Sequence, residues 1–298
     1  MLIRIATDTV QGSNSAIPEA TMNKDTGVKS LKSVLRTGWK STARFRHQTK
    51  IRAIYHLFPT REKQPLFVLT RQRTGGNMML GYLNSIPEVS MAHEFLNPKF
   101  YYGFVPRPNA RDALMQHVRR SLNGLPGEIC GCKILPGQFK KHGISLDDFH
   151  EVLPDAKYIV LYRREIFKQF VSLKIAHTTN QYVTNDKGNI KRAKIVVDLD
   201  ELEAFYQVNN SEYESVINHP ALQGRSCLVA YEDVAAHAQE VFDNDLFPFL
   251  GVPPVKIATS YVKQGKKSMA ETVENYNEIE AVIGKYRFHE PAPLIKGV

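Results

Sequence analysis

Cysteine is scarce in this chain, with three in 298 residues (Cys130, Cys132 and Cys227) and no CxxC pair. That spacing excludes a disulfide framework and the usual zinc patterns. It predicts reduced structural thiols in a cytoplasmic setting. No apolar run approaches the roughly 20 residues that a membrane-spanning helix needs. The opening MLIRIATDTVQGSNS lacks the positive flank and long apolar core of a secretory signal. GxGxxG is missing, which disfavours a nicotinamide enzyme, and so is GxxxxGK(S/T), which argues against a standard nucleoside triphosphatase. There is no acidic cluster suited to a metal, and there are no internal repeats. What remains is an ordinary globular composition, 43% hydrophobic and 23% charged, in a chain long enough to bury a sizeable core.

The net charge of +9 is unevenly placed. Nine basic residues against Asp25 alone fall between Lys24 and His56, which leaves the main body nearly neutral. A nucleic-acid-binding surface is therefore not expected, because that requires basic residues spread over a folded face. The same segment carries Leu31, Val34, Leu35 and Trp39 at near-helical intervals. Two readings follow: a basic amphipathic helix lying on anionic lipid through residues 24–56, or a solvated helix docked on its own domain. The chain thus divides into a basic N-terminal extension (1–60), partly helical or poorly ordered, and a main domain (61–298). Its expected location is cytoplasmic, with a peripheral membrane association if the first reading holds. Nothing in the pattern specifies an oligomer.

Along the main domain, strand-like and helix-like stretches alternate. Strands are expected at Leu66–Leu69, Glu88–Ala92, Ile129–Leu135, Lys157–Tyr162 and Ser226–Ala230. Helical spacing covers Met78–Ile86, Ala110–Leu122, Leu146–Val152, Ile166–Ala176, Leu199–His219, Gln239–Leu250 and Ser268–Ile283. This alternation predicts an α/β fold, P-loop-like and three-layered, with a mainly parallel central sheet flanked by helices. Thr178–Lys194, polar and broken by Gly188, reads as a loop.

The stretch LFVLTRQRTGGN (Leu66–Asn77) carries the most chemistry. A buried strand that turns through glycines into a helix leaves several backbone N–H groups unpaired and pointing one way, and the helix dipole adds partial positive charge. Arg71, Arg73 and the Thr74 hydroxyl add donors. The plain alternative is a strand-to-helix corner with solvated arginines. In open parallel sheets ligands sit beyond the carboxyl ends of the strands. Three strands deliver polar residues there: Arg71–Asn77, His93-Glu94 and Arg163-Arg164.

These residues resemble a family. LFVLTRQRTGGNMMLGYLNSIPEVSMAHEFL is similar to the first cofactor motif of sulfotransferases that use 3′-phosphoadenosine 5′-phosphosulfate (PAPS), and KYIVLYRREIFKQFVSLKIA to their second. The resemblance extends to the bacterial carbohydrate branch, nodulation-factor and trehalose sulfotransferases included. It spans about residues 64–285 and takes in the tail VKQGKKSMAETVENYNEI.

The resemblance implies that Arg73, Thr74 and Gly75 wrap the 5′-phosphosulfate, with Arg73 neutralising the bridging oxygen as the sulfuryl group leaves. Gly76 and Asn77 stand where the family commonly has hydroxyl residues, so backbone N–H groups and the Asn77 amide are left to substitute. Arg164 and Ser172 match the pair that binds the 3′-phosphate, while Arg163 is structural or faces solvent. Glu94 corresponds to the general base, His93 is its rival, and a salt bridge from Glu94 to Arg73 is the structural alternative. No metal is expected. The implied donor is PAPS and the implied acceptor a carbohydrate or glycolipid.

Other side chains support less. Lys133 reads as a strand-edge lysine, Lys263, Lys266 and Lys267 as solvated charge, and Trp39, Tyr101, Tyr102 and Phe104 as packing residues. Tyr231-Glu232-Asp233 reads as organising a sheet end. The alternatives left open are a kinase-like phosphate-handling transferase and a non-catalytic lipid- or partner-binding protein.

Overall fold

Five short runs rich in β-branched and aromatic residues form strands: β1 (Gln64–Thr70), β2 (Val89–Ala92), β3 (Ile129–Ile134), β4 (Lys157–Tyr162) and β5 (Ser226–Ala230). They pair in the order β2-β3-β1-β4-β5, every pair parallel. The computed structural model describes residues 63–100, 103–104, 110–182, 190–261 and 268–289, all within the second of the chain's two units, Arg44–Val298. The extension 1–60 with its basic segment 24–56, Trp39, Tyr101, Tyr102, Lys263, Lys266 and Lys267 lie outside the described residues.

Period-two alternation splits each strand between two cores. Leu66 and Val68 of β1 pack with Met79, Leu80 and Leu83 of α1 (Gly76–Leu83), and with Val234 of α7 (Tyr231–Val241) and Phe247 of α8 (Phe247–Leu250). Phe67 and Leu69 pack on the opposite face with Leu114, Val118 and Leu122 of α2 (Ala110–Asn123). They also meet Phe139 of α3 (Pro136–His142), Phe149 of α4 (Leu146–Val152) and Tyr213 of α6 (Leu199–Ile217). Each fully buried side chain of this size contributes roughly 1.5–3 kcal/mol. A third cluster joins Phe167, Phe170 and Val171 of α5 (Ile166–Thr179) to Leu202 and to Ile279 of α10 (Tyr276–Ile283). The result is the three-layer α/β/α arrangement that the alternation predicts.

Three stretches differ from their sequence reading. Pro136–His142 forms a helix that its polar composition hides, although Pro136 at its first turn and Gly143 (φ 62°) at its end are ordinary start and stop residues. Helix begins directly after β5, at Tyr231, and reaches Leu250 only through a π-turn at Phe242–Leu246. The Ser268–Ile283 segment is two helices, α9 (Met269–Thr272) and α10, because Val273 leaves the helix to bridge Ile195.

The sheet order positions the site. From β1 the chain turns through α1 to one face, whereas from β3 and β4, its neighbours on either side, it leaves through helices on the other. The connections therefore diverge over the carboxyl end of β1, the place where open parallel sheets bind ligands.

Candidate active site

The loop between β1 and α1 is built on two left-handed residues, Arg73 (φ 62°) and Gly75 (φ 80°). For Gly75 no other residue fits, since a Cβ there would lie 2.5 Å from the Tyr231 ring. At Arg73 the left-handed conformation costs about 1–2 kcal/mol, and it is held by hydrogen bonds at both ends of the residue. Arg163 Nη1 donates to the Arg73 carbonyl at 2.9 Å, and Arg73 Nε donates to Ser172 Oγ at 3.0 Å. Arg73 Nη1 also donates to the Tyr182 carbonyl. No side chain caps α1 and its first turn holds no acid, so its leading N–H groups and dipole are uncompensated by the helix itself.

Buried neutral hydroxyls and amides fasten the loop from below. Thr74 is fully buried; its hydroxyl meets Tyr213 Oη at 3.3 Å and accepts from Gln169 Nε2 at 3.0 Å. Gln169 also donates to the Gln72 carbonyl at 2.7 Å. Tyr213 donates to the Leu161 carbonyl, and burial raises its phenol to about 12, so it remains a neutral strut. The structure therefore directs the Thr74 hydroxyl into the protein. Arg71 is likewise engaged: it donates to Glu212 at 2.6 Å and to the Val208 carbonyl at 2.9 Å, with Phe205 beneath its guanidinium. Both residues anchor the loop in this arrangement.

Arg164 and Ser172, the two residues matched to the 3′-phosphate, each have protein partners. Arg164 makes a bidentate pair with Asp233 at 2.6 and 2.8 Å, while Ser172 is held by Arg73. Arg163 is the more buried of the two arginines, its guanidinium lying 4.8 Å over the Tyr231 ring. Glu232 accepts the backbone N–H of Arg164 and Glu165 and thereby fixes the β4 corner.

On the other flank of β1, Glu94 is 4% exposed. Its Oε2 accepts from Asn97 Nδ2 and Gln138 Nε2, both at 2.8 Å. The two amides cannot flip without loss. Gln138 Oε1 takes the Leu135 N–H and Asn97 Oδ1 takes the Lys99 N–H. Glu94 Oε1 faces Lys133 Nζ at 3.4 Å, and Lys133 in turn donates to Asn77 Oδ1. Lys133 is 8% exposed rather than an edge lysine, because β3 lies between β2 and β1. The cation beside Glu94 is thus Lys133, not Arg73. His93 stacks on Phe100, with ring centroids 5.2 Å apart. Burial, reinforced by the Lys133 charge, pushes its imidazole below the ordinary value of 6.5.

Burial also lowers the pKa values of Arg73, Arg163 and Lys133. Arg163 lowers that of Arg73 further, and Arg73 that of Lys133. Like charges gathered at partly desolvated positions are an arrangement that an added anion relieves.

No family model matches this chain, and no curated protein matches it. Among solved structures it is similar to a sulfotransferase from Alicyclobacillus acidocaldarius, at 14% identity and a TM-score of 0.44, covering 75% of this chain and 92% of that one. It is also similar to sulfotransferase STF9 from Mycobacterium avium, at 14% and 0.47, covering 72% and 71%. A third is mouse sulfotransferase SULT7A1 complexed with PAP, at 13% and 0.35, covering 69% and 64%. All three are sulfotransferases. Likeness at this level assigns no chemistry to any residue.

Three residues that hold the site have no strong signal in the sequence. Gln169 follows Lys168 in the otherwise apolar stretch IFKQFV, which is the one local hint of its role. Gln138 lies in the helix that was not expected, and Tyr213 sits on a long helix far along the chain. Among the described residues there is no group of three or more His, Cys, Asp or Glu that could hold a metal, and no helix is long and apolar enough to cross a membrane.

Proposed function

We infer that this chain transfers the sulfuryl group of PAPS to a hydroxyl of a carbohydrate or glycolipid. One observation carries the reading: Arg73 and Arg163 gather at the uncapped start of α1, and Lys133 stands between Asn77 of that helix and a buried carboxylate, Glu94. Cations alone would suit any phosphate compound. A base with one oxygen committed to two amides and the other turned toward Lys133 suits transfer to an alcohol. The two-motif resemblance supports PAPS as the donor, and its carbohydrate branch supports the acceptor class.

The residues present fit such a donor. PAPS, when bound, supplies a sulfuryl group already activated by its link to phosphate. At Gly76 a Cβ would come within 3.2 Å of both Thr70 and Lys133, so the backbone approaches these side chains more closely than another residue would allow. The N–H groups of Gly76 and Asn77 would take the 5′-phosphate, and Arg73 would neutralise the bridging oxygen. Arg164 and Ser172 would take the 3′-phosphate, which requires the Asp233 and Arg73 contacts to give way to it. In the transfer the acceptor oxygen bonds to sulfur and the bond from sulfur to the phosphate oxygen breaks. That electron pair leaves on the nucleotide, while Glu94 Oε1 receives the hydroxyl proton. His93 is the alternative acceptor of that proton.

Calorimetric titration with adenosine 3′,5′-bisphosphate tests this reading, with a Kd below about 100 μM expected. No heat at several times that concentration overturns it, and magnesium-dependent ATP turnover would point to the kinase-like alternative. We place the protein in the cytoplasm. Any contact with an anionic membrane would come through residues 24–56, and liposome binding lost with that segment would show it.

A further inference from the structure

Resting on the sulfotransferase reading, we propose that Lys133 is a positioning residue that couples the donor loop to the base through Asn77. Its ammonium touches both sides of the reaction: it donates to Asn77 Oδ1 and stands 3.4 Å from Glu94 Oε1. Asn97 and Gln138 fix Oε2 but leave Oε1 to Lys133. Asn77 is the second residue of α1, among the N–H groups that face the donor. The link therefore runs from the start of α1 through one amide and one ammonium to the oxygen that takes the proton.

This link explains why an amide stands at position 77 where the resemblance leads one to expect a hydroxyl. A hydroxyl has one proton, which goes either to an anion or elsewhere. An amide offers an oxygen and an N–H₂ on opposite sides. With Oδ1 given to Lys133, the amide of Asn77 keeps only donors for an anion. Ion pairs buried as deeply as Lys133 and Glu94 are poor sources of stability, and fixing geometry is a documented reason to retain one. A shift of the base by 1 Å can cost about a hundredfold in rate, so a link of this kind is worth keeping.

The test uses the full chain, with PAPS as donor and water as the probe acceptor, following release of adenosine 3′,5′-bisphosphate. Lys133→Met should lower the rate at saturating PAPS by about tenfold or more, while the Kd for adenosine 3′,5′-bisphosphate changes less than about threefold. Lys133→Arg should restore part of the rate. Asn77→Leu should cost about threefold alone and nothing further when Lys133 is already Met. Likewise, Lys133→Met should cost nothing more once Glu94 is Gln. That double variant has no orphaned carboxylate and keeps the test available if Lys133→Met alone does not fold. Affinity falling in step with rate would make Lys133 a donor ligand and overturn the proposal, as would losses at 77 and 133 that simply multiply. A wild-type protein that binds no adenosine 3′,5′-bisphosphate overturns the sulfotransferase reading itself, which separates the two failures.

Discussion

On the β2–β3 side of the loop a single carboxylate, Glu94, is sunk among two oriented amides and one ammonium. On the β4 side the arginines meet carboxylates nearer the surface. The Asp233 side chain that holds Arg164 is 48% exposed, and that of Glu232, 3.8 Å from Arg163, is 23% exposed. An exposed pair contributes about 0–1 kcal/mol and yields readily to a better anion, whereas a buried pair cannot lose one partner cheaply. The β4 flank is thus arranged to exchange anions, and the β2–β3 flank to keep one charge in place. On the proposed function, that contrast would separate ligand binding from proton transfer within a single sheet edge.

The strongest test of this contrast is the residue between the flanks. Arg73→Gly removes the guanidinium but suits the positive φ, so stability should hold while turnover falls by about a thousandfold. A melting curve alongside the rate checks both. On the fixed flank, Glu94→Gln should lower turnover by about a hundredfold with unchanged affinity for adenosine 3′,5′-bisphosphate; full activity would pass the role of base to His93. On the exchanging flank, Arg164→Ala should weaken that affinity by about tenfold. Asp233→Asn should tighten it a few-fold by removing a competing carboxylate, and weaker binding there would break the comparison.

The smallest effect concerns His93, whose NMR titration midpoint should fall below 6.5. Its folded value is depressed, so its contribution to stability is complete above 6.5 and shrinks as pH falls toward the folded midpoint. The urea midpoint of wild type should therefore drop over that window more than that of His93→Gln.

Much of the frame was readable in the chain, because a run such as KYIVLY can hardly be anything but a buried strand between two helical layers. β4, α4 and β5 begin and end where their patterns place them. Lys133 was not readable, since its burial depends on β3 pairing with β1 across an intervening crossover, and strand order leaves no local trace. The same holds for the partners of Arg71, Arg164 and Ser172. Residue type suggests what each can bind, but Glu212, Asp233 and Arg73 reach them only in the folded molecule. The short helix Pro136–His142 escaped because a polar, lysine-rich stretch shows little periodicity, although it supplies Gln138 to Glu94.

The bond from Arg163 to the Arg73 carbonyl and the bonds from Gln169 to Gln72 and Thr74 have a consequence for engineering. Two segments about 90 residues apart in the chain form one mechanical part. Grafting the glycine turn alone onto another scaffold would leave its unusual backbone without clamps, so a working transplant has to carry the corner from Arg163 through Gln169 with it.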